Sequence, residues 1–512
     1  MRRILTRPVL AVTAACAVTC AAAVPASAHD SDRHRLTEMS QLYGGGGNVP
    51  FAASDNVQLV DSVPKAGAIS GVFSPSAPYF YVSNIDSIDV YDVSDPLHPS
   101  LTGVLPDLVF ENEAMNYGER TLKSGKTIRF VLVGVDLTQA SPGDINHSNP
   151  SGKNEVILVD VTDPTNPYIR SRVPATTFTH TVACVQVRAC TTAYTAGSKG
   201  SFSIIDLGDL DNLREVDSDS TADGIQPFAS PAAGPGGPLE SGHKWNFDNA
   251  GYGIHTGGAG AAIFDVSHPR NPQLVTTTGD AGVTPGWNDF ILHNSERPNA
   301  RAFNPHSSPA VAHGNVLLVT EEDYEQTDCA KAGSFETWKI TTLDGTASAV
   351  RPLDKINPVT EGGGGISPPQ YAFCSAHWFD YHPSGIVALA NYGGGLRLID
   401  VRDPQHLKQY GYATWGASEV WDAYWAPKRD QHGNATGSSN IVYTVDLVRG
   451  LDVYAVDLPG KAGKAAAIPL TGHTFDAGRD GGAAAVLLAA LLGAFALRRR
   501  LAHRPNAPLT AA

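Results

Sequence analysis

Charge is scarce in this chain. Asp, Glu, Lys and Arg make up 17% of its 512 residues, against about a quarter in an ordinary soluble protein. Long helical periodicity is missing before the far C-terminus, which argues against a bundle or a coiled coil. There is no P-loop, no Rossmann glycine fingerprint, no HExxH and no GxSxG. The Gly362–Gly365 run has no helix signal after it, so it reads as a linker and not as a phosphate cradle. Positive charge is rarer still. Taking the eight Lys+Arg outside residues 29–472 from 37, and the two Asp+Glu outside them from 51, leaves 29 against 49, a net −20. A surface that acidic excludes nucleic acid and anionic lipid as expected partners.

What the chain has in quantity is punctuation: 51 Gly and 35 Pro beside 42% hydrophobic residues. This composition suits short strands parted by turns. A ten-residue phrase recurs: VYDVSDPLHP from Val90, LVDVTDPTNP from Leu158, IFDVSHPRNP from Ile263 and LIDVRDPQHL from Leu398. IIDLGDLDNL from Ile204 is looser, and VYAVDLPGKA from Val453 is degenerate. Each begins as a β-branched strand and is stopped by an Asp-Pro-type break, because proline has no N–H for a ladder and restricts the residue before it. Two further strand-like runs precede each phrase. The chain therefore divides into seven units of three to four strands, beginning near Ala68, Glu113, His180, His243, His293, His377 and Trp421. The fifth replaces the phrase with Glu336–Ile340. Units of this kind predict an all-β, seven-bladed β-propeller over 55–458. The orphan run Val57–Val63 is expected to complete the seventh blade from the other end of the chain. Residues 29–54 read as a flexible leader. The segments 136–154, 218–242, 323–335 and 357–375 are long loops expected to crown one face.

The phrase resembles the LVIVD-repeat family of bacterial propeller proteins, over about 60–457. That resemblance implies a propeller and little about activity.

Both ends read as targeting segments. Arg2, Arg3 and Arg7, the apolar Val9–Val24 and Ala26-Ser27-Ala28 predict a signal peptide over 1–28. At the other end, 459–482 is a linker and 483–512 an apolar anchor with a basic tail. Ile468-Pro469-Leu470-Thr471-Gly472 in that linker resembles a cell-wall sorting signal, with Ile in its first position. Membrane attachment and sortase exchange both stand, and either leaves a body, expected to be monomeric, on the outer face of a bacterial cell. Export favours disulfides for Cys184, Cys190, Cys329 and Cys374. Three pairings are open, of which proximity favours Cys184–Cys190 with Cys329–Cys374.

Chemistry concentrates in the first strands of the units, which line the channel of a propeller. Those strands carry Glu113, His180, His243, His293, His377 and Asp422. His180, His243 and His377 stand at near-equal offsets before the phrase aspartates Asp206, Asp265 and Asp400, which implies equivalent positions. Four imidazoles aimed at one axis suit Cu, Zn, Fe or Ni, with Glu113 as a further ligand; Glu113 or Asp422 would be the catalytic base. The opposing reading is a wet channel whose histidines bind backbone carbonyls. His180-Thr181-Val182-Ala183-Cys184 is similar to the His-Thr-x-x-Cys stretch of the selenium-binding/methanethiol oxidase propellers, a resemblance that implies axial histidines on a metal.

Other candidates rank lower. Glu321-Glu322-Asp323 is either a Ca²⁺ cluster or, preferably, a solvated acidic corner. His306 and His313 are expected at the surface, and His29 is a remote copper chelator. Trp415, Trp421, Tyr424 and Trp425 are expected between blades, with a sugar-stacking face as the other reading. Two functions follow: a metal-dependent oxidoreductase or hydrolase of a small extracellular molecule, or a non-catalytic scaffold that binds a protein or wall polymer.

Overall fold

Apolar runs of five to seven residues with a turn signal at each end can satisfy their backbone groups only by pairing sideways. In the computed structural model, which describes residues 36–39, 49–108, 113, 115–135, 153–234, 241–324, 326, 328–368 and 373–460, they do so as seven antiparallel blade sheets, with a two-stranded pair, Ser201–Phe202 and Phe228–Ala229, in addition. Blade one is Ala68–Phe73, Tyr79–Asn84, Ser87–Asp92 and Ser100–Pro106. Blades two to five repeat this order, beginning at Asn116–Thr121, Thr181–Cys184, Gly242–Phe247 and Ile291–Glu296. Blade six begins at Phe379–His382 and blade seven at Val420–Arg429. The chain is an all-β seven-bladed propeller.

The recurring phrase makes one device in every blade that carries it. Its first aspartate ends the third strand and accepts the N–H two residues on: Asp92 from Ser94 (2.8 Å), Asp160 from Thr162 (2.9 Å), Asp265 from Ser267 (2.8 Å) and Asp400 from Arg402 (3.0 Å). A second aspartate repeats the bond, as Asp95 does with Leu97 (3.0 Å) and Asp163 with Thr165 (3.0 Å). Two Asx turns in series reverse the chain into the outermost strand. The looser copy does the same without proline, since Asp206 accepts the Gly208 N–H at 2.8 Å and Asp209 the Asp211 N–H at 3.0 Å. In each of four phrase-bearing blades the outer pairing then slips, at Val90/Tyr91, Ile169/Ser171, Ile263/Phe264 and Leu398/Ile399. A bulge there adds the twist a propeller blade needs.

Packing lies between blades. Ile157, Val159, Val131 and Val133 of blade two meet Tyr81, Ile88 and Val90 of blade one, all fully buried. Trp338 and Leu317 of blade five meet Ile254 and Ile263 of blade four. Each such side chain is worth roughly 1.5–3 kcal/mol.

Val57–Pro64 pairs with Gly450–Val456, from Val57↔Val456 to Pro64↔Gly450, and so completes blade seven with a strand from the other end of the body. The expected leader is not free where it is described. Phe51–Ala53 adds a fifth strand to blade six against Ala413–Trp415, and Met39 is buried with Ile69, Tyr392, Trp421 and Leu447. Three residues are too few to give a strand periodicity, which is why the sequence hides them.

Antiparallel order puts the connections between strands two and three, and between strand four and the next strand one, on the same face. All four long segments are connections of those kinds, so their described parts share that face. The expected signal peptide, sorting-like motif and apolar anchor lie outside the described residues. Among the described residues no helix is long and apolar enough to cross a membrane. The disulfides are Cys184–Cys190 and Cys329–Cys374, with Cα atoms 5.8 and 5.4 Å apart, the pairing that proximity favours.

Candidate metal centre

The innermost strands start on the face that carries the long connections, and at their starts six ionisable side chains converge. His243 lies in Gly242–Phe247 and His293 in Ile291–Glu296; His180 and His377 stand just before Thr181–Cys184 and Phe379–His382; Glu113 precedes Asn116–Thr121. Strand register alone would not turn them all to the axis. Slips at Gly242/Lys244 and Leu292/Ser295 take His243 and His293 out of the ladder and redirect them. His180 is set by close backbone approach. A Cβ on Gly197, whose φ is +136°, would sit 2.9 Å from the His180 Cβ, and one on Gly134 would overlap the Thr179 carbonyl. The Thr181 and Thr256 hydroxyls donate to the carbonyls of His243 (2.5 Å) and His293 (2.6 Å), tying each ligand's backbone to a neighbouring strand.

Glu113 is the hub. Its Oε2 lies 2.6 Å from His180 Nε2, and its Oε1 lies 2.7 Å from both His293 Nε2 and His377 Nε2. His243 Nε2 is 3.7 Å from Oε1 and 3.2 Å from His180 Nε2. Glu322 completes the set, with its oxygens 3.7 Å from His293 Nε2 and 3.9 Å from His377 Nε2. All six are buried; His180, the most open, is 8% exposed.

His377 shows what the arrangement wants. Its Nδ1 faces the Trp421 carbonyl oxygen at 2.6 Å while its Nε2 faces Glu113 Oε1 at 2.7 Å. Both neighbours are acceptors, yet a neutral imidazole has one N–H. With Nδ1–H donated to the carbonyl, a cation between Nε2 and the carboxylate, a second ring proton or a metal ion, satisfies both sides. Nδ1–H on a backbone carbonyl is the usual orienting bond of a metal-ligating histidine.

Burial, with the neighbouring His293 ring, holds the His243 imidazole well below its ordinary value. Burial, with His377 beside it, takes His293 down to about 3. Both are neutral at pH 7, the form that ligates. Burial alone would push Glu113 up, but the His180 and His243 rings and hydrogen bonds from His180 and His293 outweigh it and hold the carboxyl well below its usual range. Glu322 goes the other way, raised well above its ordinary value by burial and by the Glu113 charge. Anionic, nitrogen-rich and buried, the group could hold a metal ion.

Aromatic rings enclose it. Trp378 lies 4.4 Å from the His293 ring, Tyr392 4.5 Å from His377 and Trp421 5.3 Å from His377. Tyr392 donates its hydroxyl to Glu322 Oε1 at 2.5 Å. Lys244 Nζ sits 4.4 Å over Trp378, its pKa brought down to about 8 by burial against the opposing charges of Asp422 and Glu113. Beyond Lys244 and Trp378 a cavity of about 400 Å³ runs between the innermost strands, past Asn246, Asn294 and Asp380.

No family model matches the chain, and no curated protein does. Among solved structures it is similar to the β-propeller domain of Cps50 (Swd1) from Myceliophteria thermophila, at 11% identity over 78% of this chain and 99% of that one, with a TM-score of 0.47. That is a distant structural similarity to another β-propeller. It concerns the fold alone.

Five residues singled out from sequence, Glu113, His180, His243, His293 and His377, do meet at one centre. Asp422 does not join them. Register slips at Val420/Asp422, and its Oδ2 accepts the Gly71 N–H at 2.6 Å while burial raises its carboxyl to about 7. Glu321-Glu322-Asp323 is no solvated corner, for the three are 5%, 2% and 3% exposed. Strand alternation sends Glu322 to the histidines and Glu321 away from them. The missed signal was two carboxylates ending an unbroken apolar strand, Val316–Glu322. Tyr392, Lys244 and Trp378 had no sequence signal. Cys184 is bonded to Cys190, so the His180–Cys184 stretch brings an imidazole and no thiol. Trp415, Trp421 and Trp425 are buried, as expected of residues between blades, and Tyr424 is half-buried. His306 is exposed, and His313 bonds the Ser308 carbonyl oxygen at 3.0 Å.

Proposed function

We propose that this chain is a metalloenzyme, a metal-dependent oxidoreductase or hydrolase acting on a small molecule outside the cell. The observation that carries the reading is His377, whose two ring nitrogens both face acceptors beside three further imidazoles and two carboxylates. The donor set of nitrogen and carboxylate oxygen without thiolate suits Cu, Zn, Fe or Ni. His180, His243, His293, His377, Glu113 and Glu322 would hold the metal, which supplies Lewis acidity and, where it is redox-active, electrons. The chain itself orients those ligands, excludes water with Trp378, Tyr392 and Trp421, and donates the Tyr392 hydroxyl to Glu322. Export supports an extracellular substrate, through the signal-like N-terminus and the anchor-like C-terminus, and the Asp-Pro phrases support kinship with the LVIVD-repeat propellers.

The test is elemental analysis of the purified protein beside a variant with His180→Ala and His377→Ala together. Stoichiometric transition metal in the parent, lost in a variant that keeps its β-sheet circular dichroism, is expected. A parent that takes up no metal when Cu²⁺, Zn²⁺, Fe²⁺ and Ni²⁺ are offered would overturn the reading and leave a surface scaffold for a protein or wall polymer.

A further inference from the structure

The six donors do not gather at one point. Among the described residues they fall into two sets whose ligand atoms lie within 4.8 Å of one another: Glu113 with His180 and His243, and Glu113 with His293, Glu322 and His377. The four histidines form no such set by themselves. Metal–nitrogen and metal–oxygen bonds of about 2.0–2.2 Å allow two ligands of one ion to stand at most about 4.3 Å apart. One ion therefore cannot take the union of the two sets.

Glu113, the shared member, divides its oxygens between the sets. Oε2 faces His180 at 2.6 Å, and Oε1 faces His293 and His377 at 2.7 Å. His243 keeps to the His180 side, with the two Nε2 atoms 3.2 Å apart, a separation suited to two ligands on one ion. On the other side the Glu322 oxygens stand 3.7 and 3.9 Å from the two imidazoles, inside the span of a single coordination sphere. A carboxylate that offers one oxygen to each of two donor sets is a bridging ligand, and bridged pairs hold their ions about 3.5–4 Å apart.

Resting on the metal reading above, we infer that the axial centre is dinuclear: one ion on His180 and His243, a second on His293, His377 and Glu322, with Glu113 spanning them. That leaves three protein donors for one ion and four for the other, so the first would keep an open position. The buried Glu113 and Glu322 carboxylates supply two negative charges against four from a pair of divalent ions, so the centre favours a substrate or co-ligand that is itself an anion.

The experiment uses the full chain, stripped with chelator, reloaded with Cu²⁺ and freed of excess. Two coppers per chain are expected, with an electron paramagnetic resonance signal integrating to well under half of the copper present, because a carboxylate-bridged pair is exchange-coupled. His243→Ala and His293→Ala should each retain one copper and recover the full signal of an isolated ion. Glu113→Gln should lose the coupling even where it keeps copper. Copper saturating at one per chain, or two coppers giving the full uncoupled signal, overturns the dinuclear centre while leaving the metalloprotein standing. No copper at all overturns both. Thermal melts of the metal-free proteins separate ligand loss from misfolding, and the parent's stoichiometry and signal decide the matter even if every variant unfolds.

Discussion

His377 and Asp422 sit on neighbouring blades and teach opposite lessons about a buried polar side chain. His377 has acceptors on both sides and needs a cation; removing its ring in His377→Ala should weaken metal retention by at least tenfold, read by competition with a calibrated chelator. Asp422 has one oxygen on the Gly71 N–H and the other without a partner, and burial raises its carboxyl from 3.8 to about 7. A carboxyl raised in the folded state contributes stability in full below its unfolded value near 3.9 and loses it as pH rises through 7. The gap corresponds to about 4 kcal/mol. Asp422→Asn should therefore flatten the fall in unfolding free energy of the metal-free protein between pH 4 and pH 7, measured by denaturant titration. An unchanged slope would show that Asp422 ionises freely. The histidines were legible because equal offsets in equivalent repeats imply equivalent places. Asp422 stands outside both donor sets while feeling the charges of His377, Lys244 and Glu113, and no spacing rule sees the slip at Val420/Asp422.

At the scale of the element, strands and turns were largely readable. The phrase encodes its own geometry, a strand closed by an aspartate that binds the N–H two residues on, and it survives the loss of proline in blade three. Asp160→Ala removes the Thr162 N–H bond and the Arg170 ion pair at 3.2 Å. It should cost about 1–2 kcal/mol in equilibrium unfolding, and a neutral result would mean that the turn is set by the backbone alone. What the sequence left open was how distant elements are stapled. Loop-closure entropy over a separation of 45 residues gives Cys329–Cys374 about 4 kcal/mol, against about 2 kcal/mol for Cys184–Cys190 over 6. The Cys329→Ser/Cys374→Ser protein should thus melt well below the Cys184→Ser/Cys190→Ser protein, and the reverse order would count against that entropic account.

At the scale of the molecule, one closed ring places donors from four blades and one connection around a common axis. Glu113 and His377 are 264 residues apart in sequence, and His377 Nε2 lies 2.7 Å from Glu113 Oε1 in space. The clasp makes this possible, since Val57–Pro64 belongs to the blade formed by Val420–Arg429, Ala435–Asp446 and Gly450–Val456. Gln58→Pro removes an N–H from that clasp opposite Ala455 and should cost about 3 kcal/mol or more. Ring number and closure could be read from the repeats; the composition of the centre could not be read in full, because Glu322 comes from the end of a second strand and Tyr392 from beyond another. Anomalous diffraction from crystals of metal-loaded protein, recorded on both sides of the absorption edge, tests the central claim most directly. The account predicts anomalous density on the axis, within about 2.0–2.3 Å of histidine Nε2 atoms and of Glu113. An axis without anomalous density, with Glu113 holding the imidazoles by hydrogen bonds alone, would contradict it.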